Sequence, residues 1–233
     1  MSAFVLVHGS TQNKSCWERV GSILAARGHI VVTPDLPKLA PAWGLREYAS
    51  EIAQSIPTTD TVVVAHSFSG VFLPLVAQMR DCGLVVFLAA VIPEPGKSVR
   101  DQFAADAAMF SPGWIEVGTR WFADPPQQRR LAENFLFHDC DDETKIWALA
   151  TIESFDTRHL VDQPIPLEAW PAVRTASIVA SEDRTLSPEW SRKMTRAVLG
   201  REAIEIEAGH CPHCSQPRTI ANILEQLAMQ RTT

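Results

Sequence analysis

No stretch of these 233 residues is apolar for long enough to cross a bilayer. The longest apolar run, Leu84 to Ile92, stops at Pro93 and reaches about half of the roughly 20 residues that a spanning helix needs. No basic leader precedes the first apolar run, Phe4 to Val7, so no secretory signal is expected. There is no basic stripe either. The 21 Lys and Arg residues are scattered and the net charge is −6, which excludes nucleic acid as the expected partner. The acidic balance favours solubility and says little about a substrate. Five cysteines (Cys16, Cys82, Cys140, Cys211 and Cys214) are an odd number without framework spacing. They read as reduced thiols, which points to the cytoplasm. Repeats and low-complexity tracts are missing. What remains, 46% hydrophobic, suits one large globular domain or a core with a small insertion.

Strand and helix patterns alternate along this chain. Short apolar runs read as buried parallel strands at Ala3 to Val7, Ile30 to Thr33, Thr61 to Ala65, Leu84 to Ala90, Ala176 to Ala180 and Ala203 to Ile206. Helical patterns lie between them at Cys16 to Arg27, Leu45 to Ile56, Ser69 to Arg80, Pro188 to Leu199 and Pro217 to Gln230. Pro188 and Pro217 fall in first helical turns, where a missing N–H costs little. Gly28 and Gly200 stand where helices stop. The expectation is an α/β fold: a mainly parallel sheet of about six strands flanked by helices.

From Pro93 to Pro171 the alternation fails. This stretch is too long for a loop and rich in aromatics: Phe103, Phe110, Trp114, Trp121, Phe122, Phe135, Phe137, Trp147 and Phe155. Helical patterns run from Val99 to Met109, Pro126 to Leu136 and Asp142 to Ile152. We therefore expect a core of residues 1–92 and 172–233 with a helical cap at 93–171. Most of the aromatics are expected to pack the cap onto the core, and a few to line an apolar cavity.

Chemistry enters at strand ends. Val62-Val63-Val64-Ala65-His66-Ser67-Phe68-Ser69-Gly70 reads as a strand, a serine at once after it, then a helix. Small residues at two positions on either side of Ser67, Ala65 and Ser69, are what a tight nucleophile elbow requires, here as Ala-x-Ser-x-Ser. A helix beginning there also directs N–H groups toward the serine. Phe4-Val5-Leu6-Val7-His8-Gly9-Ser10 ends a strand in a polar loop, and by position Ser10 and Phe68 would donate backbone N–H groups to an oxyanion. His8, beside Gly9 at a strand end, reads as structural. Asp183 follows the strand ending at Ala180, with Glu182 as its competitor, and His210 follows the strand ending at Ile206. All sit where an open parallel sheet places its ligands, in the order Ser, Asp, His. That order points to nucleophilic catalysis by Ser67, with Asp183 as acid and His210 as base.

At these residues the chain resembles the small α/β-hydrolases related to plant methyl esterases, hydroxynitrile lyases and bacterial pyrethroid-type esterases. Phe-Val-Leu-Val-His-Gly-Ser, Ala-His-Ser-Phe-Ser-Gly, Val-Ile-Pro-Glu-Pro-Gly-Lys-Ser, Ser-Glu-Asp-Arg-Thr-Leu-Ser-Pro-Glu-Trp and Gly-His-Cys-Pro-His-Cys-Ser-Gln-Pro carry the resemblance. It spans nearly the whole chain. It implies an α/β-hydrolase fold whose core begins at what is the third strand of larger members, with a helical cap between the sixth and seventh. It also implies esterase activity on a small-molecule ester with an apolar acyl part. The lyases of the group carry Lys directly after the catalytic His and Thr after the first His; here Cys211 and Gly9 stand there, which argues against cyanide chemistry. Hydrolysis of a lactone, thioester or C–C bond stays open, as does a ligand-binding protein on a hydrolase fold.

Other signals carry less. His210, Cys211, His213 and Cys214 are metal-ligand types, but all fall in one loop and no second group stands out, so no metal and no cofactor is expected. The Cys-Pro-His-Cys run lies too late in the chain for a thioredoxin-type motif. Asp139, Asp141, Asp142 and Glu143 read as a solvated helix start, with His138 and Asp139 alternatively facing the cavity. No membrane partner is expected, and a homodimer stays open.

Overall fold

The computed structural model describes residues 1–118, 120–121 and 125–230. Its centre is a sheet of six parallel strands: β1 (Ala3–Val7), β2 (Ile30–Val32), β3 (Val62–His66), β4 (Leu84–Leu88), β5 (Thr175–Ala180) and β6 (Ile204–Ile206), in the order β2-β1-β3-β4-β5-β6. Register runs Phe4 to Val62, Val62 to Leu84, Val86 to Ala176 and Ile178 to Ile204. The chain reverses direction across the sheet between β2 and β3, so the carboxyl ends of β1 and β3 open a crevice between the two halves.

Both faces of the sheet are covered, which explains continuous apolar runs instead of alternation. Val5, Val7, Val63, Val85 and Phe87 face one layer, built with α2 (Leu45–Gln54), α3 (Leu73–Met79) and α8 (Pro188–Leu199). Phe4, Leu6, Val64, Val86 and Leu88 face the other, built with α1 (Glu18–Ala26) and α10 (Pro217–Met229). Each large side chain buried this way contributes about 1.5–3 kcal/mol. Ser187 caps α8 by accepting from the Trp190 N–H, and Gly200 ends it at φ 62°, as its position in the sequence predicts.

Boundaries shift where the backbone is strained. The strand expected to run to Ala90 ends at Leu88, because Ala89 has φ 43° and leaves the strand conformation. The helix expected from Ser69 begins as a 3₁₀ turn over Ser67–Phe72 before α3 takes over. Between β4 and β5, residues 93–171 add no strand to the sheet among the described residues; they form α4 (Val99–Ala105), α5 (Pro112–Gly118), α6 (Pro125–Leu131) and α7 (Asp142–Ala150). The helix predicted over Val99 to Met109 breaks at extended Asp106, whose side chain caps a short 3₁₀ turn. The one predicted from Pro126 to Leu136 continues past α6 as a π-helical turn at Ala132–Leu136. α5 and the four-residue α9 (Pro212–Ser215) are absent from the sequence expectation.

Candidate active site

Ser67 leaves β3 with φ 56°, a left-handed conformation costly for any residue with a side chain. Its surroundings hold it there. The Val91 N–H donates to the Ser67 carbonyl at 3.0 Å, and the buried Ser69 hydroxyl donates to the His8 carbonyl at 2.7 Å. Close approach also demands glycine on both sides. A methyl at Gly70 would meet the Val91 carbonyl oxygen at 2.3 Å, and one at Gly9 would meet His66 Nδ1 at 2.8 Å and Ser67 Cβ at 2.9 Å.

The Ser67 hydroxyl lies 2.9 Å from His210 Nε2, and His210 Nδ1 lies 2.7 Å from Asp183 Oδ2. Three side chains from three strand ends thus form one chain of hydrogen bonds. The other carboxylate oxygen of Asp183 accepts from the N–H groups of Thr185 and Leu186 at 2.7 and 3.0 Å. Three N–H groups thus converge on Asp183, and as the acceptor opposite Nδ1 its carboxylate sets the tautomer of His210 with the proton on Nδ1. Nε2 then accepts from the serine. Glu182 is exposed and does not touch His210, so the geometry separates the two acid candidates.

Ser10, Ser67, Phe68 and His210 line one cavity of about 290 Å³. Phe68, second in its helical turn, has no earlier carbonyl within that turn for its N–H. The rest of the wall is largely apolar and comes from residues 93–171, with Val99, Phe103, Phe110, Trp114, Trp121 and Leu136 among its members. Of the nine aromatics in the sequence reading, Phe122 lies outside the described residues. Four of the other eight line the cavity. The remaining four pack elsewhere: Phe155 stacks on Tyr48, Phe135 contacts Trp114, Trp147 lies under the Arg19 guanidinium and Phe137 is buried in the core.

His8 stays out of the cavity. Its Nε2 accepts from the Leu36 N–H at 3.0 Å and burial holds its pKa below that of free imidazole, in keeping with a structural role. His66 is likewise buried and held well below the ordinary value by burial and by the facing His213 and His210 rings. It donates from Nε2 to the His210 carbonyl at 2.8 Å, a link across 144 residues that no local pattern announces.

One residue is more engaged than the sequence suggests. Asp141 caps α7, with Asp142 and Glu143 in its first turn, as a helix start should. Asp139, however, is half-buried and does not line the cavity. Its Oδ2 accepts from the Gly209 N–H and the Ser215 hydroxyl, both at 2.7 Å, while His138 Nε2 donates to the Glu182 carbonyl at 3.0 Å. Two consecutive side chains thus hold the loop of His210 and the loop of Asp183 together.

The model of the family described as "Alpha/beta hydrolase family" matches residues 4–223. The chain belongs to the alpha/beta hydrolase family. Among its relatives in sequence are Norfluorocurarine synthase 2 from Strychnos sp and Methylesterase 2 from Arabidopsis thaliana. Each is 26% identical to this chain, over 96% of this chain and 94% of the first relative, and over 97% and 95% for the second. In three dimensions the chain is similar to a pyrethroid hydrolase from Sphingobium faniae JZ-2, with a TM-score of 0.75 at 22% identity over 98% of both chains. Plant methylesterases and a pyrethroid hydrolase are two of the groups that its motifs resemble.

Proposed function

We propose that the chain is a serine hydrolase that cleaves a small carboxylic ester with an apolar part through an acyl-enzyme. The observation that carries this reading is the unbroken contact from Asp183 through His210 to Ser67, opening on an apolar cavity. His210 takes the serine proton as Ser67 attacks the ester carbonyl, and Asp183 holds the imidazole tautomer and stabilises the imidazolium. Backbone N–H groups of Ser10 and Phe68 take the oxyanion, each worth about 3–4 kcal/mol in the transition state. His210 then returns the proton to the leaving alcohol, and later activates the water that releases the acid.

Residues 93–171 act as the cap in this reading, with the core at 1–92 and 172–233. Their aromatic side chains accept the apolar part of the ester, and a cavity near the small end of the usual ligand range favours compact substrates. A second reading keeps the same serine attack but directs it at a lactone, thioester or C–C bond; one relative is named a synthase and not an esterase.

A fluorophosphonate probe followed by peptide mapping tests the nucleophile, and a panel of esters of graded acyl size, with lactones and thioesters beside them, tests the substrate class. Labelling on Ser67 with best turnover of compact apolar esters is the expected result. No label and no turnover across the panel would leave a binding protein on this fold.

Asp139 gives a prediction at a distance from the chemistry. Asp139→Ala removes the one oxygen that accepts from both Gly209 and Ser215 and is expected to lower stability by about 1–3 kcal/mol. It should also slow turnover, because the base loop loses its tie. Asp139→Asn keeps an oxygen for both donors and should retain most of the activity; thermal melting beside initial rates reads both effects.

A further inference from the structure

Behind the base loop lies a buried cluster that the proposed reaction does not use. His66 closes β3, one residue before Ser67, with its ring in the interior. Cys211 and His213 follow His210 on the turn into α9. All three are buried, and one ligand-capable atom from each lies within 4.8 Å of the others. Cys211 Sγ is 4.0 Å from His66 Nε2. Cys214 shares the compartment: the Gln12 amide donates to its sulfur at 3.7 Å and accepts the Cys211 S–H at 3.6 Å.

His213 is the group that needs explaining. Its ring has no exposed surface, stacks on Trp17 at 4.5 Å and tilts against His66 at 4.5 Å. Neither of its ring nitrogens makes a hydrogen bond of ordinary geometry among the described residues, although the Cys214 thiol lies close enough to interact with the ring; Nδ1 of His66 has no partner either. A neutral imidazole carries one donor and one acceptor, so the Cys214 thiol can meet at most one of them and burial leaves the other unmet. Protein interiors rarely tolerate this, and an ion is one of the few things that resolves it. Imidazole nitrogens beside a thiol are the donors that soft metals select, whereas Mg²⁺ and Ca²⁺ take oxygen ligands, of which this cluster offers no carboxylate.

We propose that His66, Cys211 and His213 form a binding site for a thiophilic cation, Zn²⁺ or Cu⁺, set behind the triad and separate from the substrate cavity. Zn–S and Zn–N bonds of about 2.3 and 2.0 Å place tetrahedral ligand atoms roughly 3.5 Å apart. The 4.0 Å between Cys211 and His66 therefore needs a contraction of about 0.5 Å, and a pair at the cluster's full 4.8 Å one of more than about 1 Å. On binding, the Cys211 thiol loses its proton to solvent as the sulfur–metal bond forms, and His213 gives a lone pair. His66 Nε2 releases the proton that it donates to the His210 carbonyl, and the unpartnered Nδ1 of the same ring takes one up. No electron is transferred. A water completes the coordination, so Cys211 is the one thiolate of the set. The spacing within the 211–214 run hides this set, because its third member stands 145 residues earlier.

The test uses the full chain, stripped with a chelator and then exposed to Co²⁺ as a spectroscopic stand-in for Zn²⁺, with metal content measured after desalting. Cu⁺ is offered separately from its bicinchoninate complex, and loss of that colour reads transfer. One equivalent of metal per chain is expected. For Co²⁺ a thiolate charge-transfer band should accompany it, absent in Cys211→Ser, with affinity roughly 100-fold weaker in His213→Asn. Circular dichroism of the metal-free variants shows whether they fold, and wild-type stoichiometry is read without them. Failure of wild type to hold either metal stoichiometrically overturns the proposal. So does a band unchanged in Cys211→Ser, which would place the metal on a different thiol, such as Cys214.

Discussion

Ser67→Ala is expected to lower kcat by about 10⁴- to 10⁶-fold on the best ester of the panel, with the fold unchanged. The size follows from what the hydroxyl does. It is the atom in line with both His210 and the cavity, and no other nucleophile stands beside it among the cavity-lining residues except Ser10 and three threonines, none of them paired with a base. The residual rate would come from the oxyanion donors and from binding, both of which survive the substitution. Stability should barely move. The hydroxyl makes its one recorded bond to an imidazole nitrogen that faces the cavity, where water can replace it, and alanine occupies the left-handed position about as well as serine does. Initial rates beside a thermal melt decide the matter. A variant that melts like wild type and still turns over within about tenfold of it would remove Ser67 from the reaction.

Much of this was legible without coordinates. Strand runs such as Val62-Val63-Val64 carry no period, and that absence of alternation is itself the mark of a sheet covered on both faces. The elbow was legible because sterics dictate it: Ser67 at φ 56° tolerates only small neighbours, and Gly70 cannot gain a methyl without striking a backbone carbonyl. Asp183 and His210 were legible because each follows a strand whose end must face the crevice. These are short-range constraints, readable in a window of nine residues.

What escaped depends on long-range packing. Nothing near Asp139 announces that its carboxylate will meet Gly209, 70 residues on, and its company of acids made a solvated helix start the natural reading. The broken helix at Asp106 and the π turn at Ala132–Leu136 escaped because helical periodicity continues through both. The cavity wall escaped for the same reason. Trp114 faces the cavity while Trp147 lies beneath an arginine, and the two are told apart by how helices settle on the core, not by their neighbours in sequence.

The acid is where composition and geometry part company, since Glu182 and Asp183 are adjacent and chemically alike. Asp183→Asn is expected to reduce kcat by about 10⁴-fold. Its amide oxygen would keep the bonds from Thr185 and Leu186, which places the amide NH₂ opposite His210 Nδ1. A donor there forces the proton of the imidazole onto Nε2, and that nitrogen can no longer accept from Ser67. The loss is thus one of tautomer, with little change in shape, so melting should shift far less than the rate. Glu182→Gln changes an exposed side chain whose neighbours contact only its backbone: its N–H donates to the Ala208 carbonyl and its carbonyl accepts from His138. Stability should stay within about 0.5 kcal/mol and the rate near that of wild type. Should Glu182→Gln prove the more damaging substitution, the hydrogen bond at 2.7 Å would not be the one that matters, and the base would need a different partner.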